Sequence, residues 1–150
     1  MRPLLPLTIA ACVLLTSAAT AACYARKYDA AHLARNPRQQ VRAIAVKVTD
    51  GPPAGASISA TLRGSDWTWA TGGDCQPQGE ALKCTFPETG GAALLAAGKQ
   101  GLRLEVVGAE GLSLDAEGHE GAGGERRIKS LDKAGDGLFL LGPAPDSACP

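Results

Sequence analysis

Val41-Arg42-Ala43-Ile44-Ala45-Val46-Lys47-Val48, followed by Asp50-Gly51-Pro52-Pro53-Ala54-Gly55 and then Ile58-Ser59-Ala60-Thr61-Leu62, is the stretch on which the fold turns. Ile44, Val46 and Val48 recur every second residue and fall on one face of an extended chain, with Ala43, Ala45 and Lys47 on the other. The Gly and Pro cluster then breaks the strand as a turn, and Ile58, Ala60 and Leu62 resume the alternation. Half-buried β-structure is the only regular element with that period.

The same period continues outward. Leu82, Cys84 and Phe86 form one set, Leu102, Leu104 and Val106 another, and Leu112 with Leu114 a shorter one. Arg126 to Leu131 reads as a marginal strand, and Gly137 to Leu141 as a closing strand before Gly142-Pro143. Ala92 to Ala97 is open between helix and strand, because its Ala and Leu content favours helix while its length between glycines does not. One short N-terminal helix is expected within Tyr28 to Pro37, capped by Asp29 and ended by Asn36-Pro37. Short strands at this spacing, with Gly or Pro turns between them, predict a mainly β domain: an antiparallel sandwich or a small barrel. Glu117 to Gly124 reads as a loop.

Met1 to Ala22 has the parts of a secretory signal: Arg2, an apolar run from Leu4 to Leu15, and small residues offering Ala19-Thr20-Ala21 as a cleavage site. The apolar run falls short of the roughly 20 residues that cross a bilayer. Cleavage would leave one domain of about 128 residues, from Cys23 to Pro150, enough for a single core. Arg2 is one of 15 basic residues set against 15 acidic ones, so the mature chain would carry a net charge near −1. Near-neutral charge provides no electrostatic drive toward nucleic acid. The charge is uneven, however. Basic residues dominate Arg26 to Lys47 and acidic ones Glu105 to Glu125, an arrangement that reads either as solvated faces or as a bipolar surface.

Loss of Cys12 with the signal would leave Cys23, Cys75, Cys84 and Cys149. An even number in an exported chain predicts disulfides. Cys75 and Cys84 flank the turn-rich Gln76 to Glu80, and Cys23 and Cys149 lie at the two ends, so the expected pairing is 75–84 with 23–149. A second fate is open for Cys23. Thr20-Ala21-Ala22-Cys23 satisfies a permissive lipobox, and lipidation there would anchor the chain and strand Cys149.

Few residues point to chemistry. Trp67 and Trp69 project from one face at strand spacing, and they serve either as core or as an aromatic ligand platform. His32 and His119 are the two histidines. His119 has Asp115, Glu117 and Glu120 nearby in sequence, yet it lacks zinc-ligand spacing and the calcium-loop pattern. Gly98-Lys99 lacks the rest of a phosphate loop, and no Gly-x-Ser-x-Gly elbow is present. Asp132 to Gly137 reads as a turn. Neither a cofactor, a metal nor a catalytic set is predicted.

Cys23-Tyr24-Ala25-Arg26, Tyr28-Asp29, His32-Leu33, Asn36-Pro37, Gln39 or Gln40, and Val41, together with Asp136 to Leu141 and Cys149, resemble the two ends of a group of uncharacterised exported bacterial proteins. That resemblance implies export and one β domain, and it brings no activity with it. The expectation is therefore a periplasmic or secreted protein, or one lipid-anchored in the cell envelope, acting as a non-enzymatic binding or structural accessory domain. The alternative is a small hydrolase or metal-binding protein acting on envelope or extracellular material.

Overall fold

The computed structural model describes residues 21–51, 53–118 and 127–150. The strands are β1 (Ala21–Lys27), β2 (Val41–Thr49), β3 (Ala54–Leu62), β4 (Thr68–Gln78), β5 (Ala81–Thr85), β6 (Gly91–Gly98), β7 (Gly101–Ala116), β8 (Ile128–Leu131) and β9 (Leu138–Ala144). Consecutive strands from β1 to β7 pair antiparallel, β7 pairs with β9, and β9 returns to β1. Eight strands thus close on themselves into a barrel, with β8 as an extra strand on the far half of β7.

Closure corrects one of the two expected architectures. A β-sandwich needs two sheets with separate edges, and here the pairings Cys23↔Ala144 to Ala25↔Gly142 join the first and last strands of one sheet. The barrel removes those edges, which would otherwise offer unpaired backbone groups to other chains. The helix count is also corrected. A six-residue helix α1 (Ala30–Arg35) is joined by a one-turn helix α2 (Lys133–Asp136), and a 3-10 turn follows at Asp146–Ala148.

The alternating residues read from the sequence face inward. Ile44, Val46, Ile58, Leu104, Val106, Phe86 and Phe139 are almost wholly removed from water. Each such side chain contributes roughly 1.5–3 kcal/mol on burial. Ala92 to Ala97 lies in β6, because its partners β5 and β7 supply a ladder on both sides. The Leu102 and Leu112 runs belong to one 16-residue strand, β7, which turns at Gly108 and Gly111, both at positive φ. Beyond this bend β7 meets β6 again at Gly91↔Leu112 and then pairs Trp69↔Ala116 with β4. The last strand does not stop before Gly142-Pro143 but runs through it, Pro143 standing opposite Tyr24.

Ala21 and Ala22, the last residues of the expected signal, pair with Thr49 and Val48. Both expected disulfides form, Cys23–Cys149 and Cys75–Cys84. The first packs with Ala45 on the outside of the barrel and the second belongs to its core. Paired cysteines of this kind point to an oxidising compartment. No helix among the described residues is long and apolar enough to cross a membrane.

Candidate functional site

The two ends of the barrel differ in chemistry. At one end α1 and α2 fold over the starts of β2 and β9. Asp29 caps α1, its carboxylate accepting the His32 N–H at 2.6 Å. The Tyr28 and His32 rings stack with centroids 4.6 Å apart. Gln39 is buried and its Nε2 donates to the Val41 carbonyl at 2.8 Å, which leaves its Oε1 to accept from His32 Nε2 at 3.0 Å. The His32 proton on that ring therefore sits on Nε2. Arg63 ties α1 to the barrel by donating to the carbonyls of Gln39, Leu33 and Asn36.

Asp136, which the sequence hides in an apparent turn, is the centre of this end. It is 0% exposed, and its two oxygens accept the backbone N–H groups of Gln40 (2.8 Å) and Val41 (3.1 Å). Burial pushes its carboxyl above the ordinary range, against the opposing pull of those two hydrogen bonds. Burial also raises the Tyr28 hydroxyl, which Arg26 lowers and Asp136 raises further. Tyr28, His32, Gln39 and Asp136, which carry part of the resemblance to exported chains, thus meet in space. Apart from the Gln39–His32 side-chain bond, the hydrogen bonds of Gln39, Arg63 and Asp136 run to backbone groups, so the network closes the barrel and holds α1 and α2 on it.

The other end is open. Period-2 alternation brings Tyr24, Val48, Leu82, Leu95 and Leu102 to the inner face at the ends of five strands, around a recess of about 390 Å³. Its wall is completed by Pro77 and Ala97, and Asp50, Gly79 and Glu80 stand in the turns at its rim. Cys75 and Cys84 lie two residues deeper on β4 and β5, directly opposite each other in the ladder, and their disulfide fixes the distance between those two strands. An eight-stranded barrel is just wide enough either to be filled by side chains or to hold one small ligand. This barrel is filled at its middle and concave at its mouth. An apolar wall, a phenol and two carboxylates at the rim suit a small neutral or cationic apolar molecule, the volume lying at the low end for ligand pockets.

Of these mouth residues, Val48, Leu82 and Leu102 fall in strands expected from the sequence, Leu95 lies in the stretch open between helix and strand, and Tyr24 belongs only to the motif behind the resemblance. Of the residues singled out there, Trp69 is 9% exposed and packs in the core, its Nε1 donating to Ser65 Oγ at 3.1 Å. Trp67 is half-buried, 6.1 Å from Trp69 between ring centroids, and the Arg127 guanidinium covers it at 4.8 Å. The pair does not present two open ring faces. Asp115 and Glu117 border a separate recess on the outside of the barrel with Ser57, Ser59 and Thr71. His119 and Glu120 lie outside the described residues. Among the described residues, no three His, Cys, Asp or Glu side chains converge as a metal site.

No family model matches this chain, and neither a curated protein nor a solved structure is detectably similar to it.

Proposed function

We propose that this protein is exported and acts in an oxidising compartment as a non-catalytic binding barrel that holds a small apolar ligand in its open mouth. The observation that carries the reading is the 390 Å³ recess lined by Tyr24, Val48, Leu82, Leu95 and Leu102 above an otherwise filled barrel. Two disulfides and the signal-like Met1 to Ala22 support export. With cleavage before Cys23, the mature chain would begin at a residue whose Sγ is joined to Cys149. A sulfur in that bond is not available to carry a lipid, which favours a periplasmic or secreted protein over a lipid-anchored one.

The test is a titration with N-phenyl-1-naphthylamine, a neutral apolar fluorophore. Wild-type protein should give a saturable fluorescence increase, and Leu82→Glu, which places a charge in the mouth, should abolish it while near-UV circular dichroism stays unchanged. An increase that survives Leu82→Glu, or none with the wild type, overturns the reading.

A further inference from the structure

The most exposed large apolar side chains of the described structure lie together on β9, where Leu138 is 52% and Leu140 62% exposed. They alternate with the buried Phe139 and Leu141, so both point away from the barrel. Register places Leu138 opposite Glu105 and Leu140 opposite Arg103 on β7. The leucines therefore flank the Arg103–Glu105 ion pair, whose N···O distance is 2.8 Å. Scattered exposed leucines need no explanation, but two on one face beside a distinctive groove do.

That groove adjoins Leu140. It measures about 430 Å³ and is lined by Arg26, Lys99, Arg103, Gln100 and the backbone of Gly101 and Gly142. Among the described residues, three cations and no carboxylate line it. Arg26 leans over the Tyr28 ring at 5.7 Å, and Lys99 sits at the tip of the β6–β7 turn. Glu105, next to Arg103, offsets part of this charge. The barrel mouth, by contrast, carries Asp50 and Glu80.

We infer that the Leu138–Leu140 face docks on an anionic bilayer surface, the leucines entering the acyl boundary and Arg26, Lys99 and Arg103 meeting lipid phosphates. Charge complementarity selects this occupant. Apolar side chains bordered by cations are the arrangement that binds at a membrane interface, where burial and headgroup attraction add. A neutral surface would satisfy the leucines and leave the cationic groove without a counter-charge. The inference stands independently of any ligand in the mouth.

Co-sedimentation with vesicles tests it, using phosphatidylcholine alone and phosphatidylcholine mixed with phosphatidylglycerol. Wild-type protein should bind the mixed vesicles and not the neutral ones, and binding should weaken with added salt. Lys99→Gln should cost roughly five-fold in partitioning, from about 1 kcal/mol per cation near the surface, and Arg26→Gln with Lys99→Gln roughly twenty-five-fold. Leu138→Ser with Leu140→Ser should abolish binding, whereas Leu82→Glu in the mouth should leave it unchanged. All these positions are exposed or at the mouth, and near-UV circular dichroism verifies that each variant is folded. Equal binding to neutral vesicles, no binding to either, or mixed-vesicle binding indifferent to the Arg26 and Lys99 changes would overturn the inference. So would a dimer in sedimentation equilibrium that is lost in the double serine variant without any vesicle binding, since the leucines would then pair two copies.

Discussion

The Val41 backbone N–H donates to the Asp136 carboxylate at 3.1 Å across 95 residues of sequence, joining the first residue of β2 to the short helix that precedes β9. With the Gln40 N–H on the other oxygen, the bond uses one buried carboxyl to end two strands. Replacing it by Ala leaves both N–H groups without a partner, at about 1–3 kcal/mol each. Asp136→Ala should therefore lower the urea midpoint sharply at pH 7.

Asp136 also makes stability depend on pH. Its folded-state carboxyl is raised by burial, so the native chain binds this proton more tightly than the unfolded chain. The contribution is greatest below the ordinary carboxyl range. It declines as pH rises from there through the raised value, and is constant above. Asp136→Asn should remove that decline, so the wild-type minus variant stability difference should be largest at acid pH and fall as pH rises through the raised carboxyl value. A difference that is flat across the acid range would contradict the assignment.

Gly135 is the residue that lets α2 sit where Asp136 can reach. A Cβ there would lie 2.1 Å from the Arg38 carbonyl oxygen, a backbone atom that cannot swing aside. Gly135→Ala should push α2 outward and cost roughly 1–3 kcal/mol as overpacking does. Combined with Asp136→Ala it should cost less than the two separate losses together, because both act on the same contact.

The Cys23–Cys149 bond closes a loop spanning 126 residues. On the chain-entropy model such a closure contributes about 5 kcal/mol. A double Cys→Ser variant at these two positions should unfold at much lower denaturant, with little change to its native near-UV spectrum, since the bond lies on the outside of the barrel. An intact mass before and after reduction should differ by four hydrogens, two for each disulfide.

The tryptophans offer a direct probe of packing. Trp69, buried with its Nε1 on Ser65, should resist iodide quenching, while half-buried Trp67 should be partly accessible. Trp69→Phe should leave an emission that quenches more steeply than wild type. Equal quenching of both single-tryptophan variants would rule out the core position of Trp69.

Local rules made much of the fold legible. The period-2 runs around Ile44, Ile58, Leu82 and Leu104 fixed strands and inward faces, because alternation follows from the pleat alone. Asp29 marked α1 because a cap needs only its own helix. The even set of four cysteines in the predicted mature chain, two of them flanking a turn, indicated both pairings. The strand character of Ala92 to Ala97 was not legible, since propensity there opposes a choice made by β5 and β7. Nor was the continuity of β7, whose bend at Gly108 and Gly111 looks like a break in any local reading.

What the amino-acid sequence determined by itself is the kind of chain this is: β-rich, alternating, turn-punctuated and built for disulfides, each a property of neighbours along the chain. Tertiary structure decided whether the sheet closes, which of two barrel ends is sealed, and where a recess remains. Those outcomes depend on β1 meeting β9 and on Asp136 meeting Val41, contacts between residues about a hundred positions apart that no local period encodes. The same long-range closure brought Tyr24, Val48, Leu82, Leu95 and Leu102, scattered along the sequence, together as one concave wall.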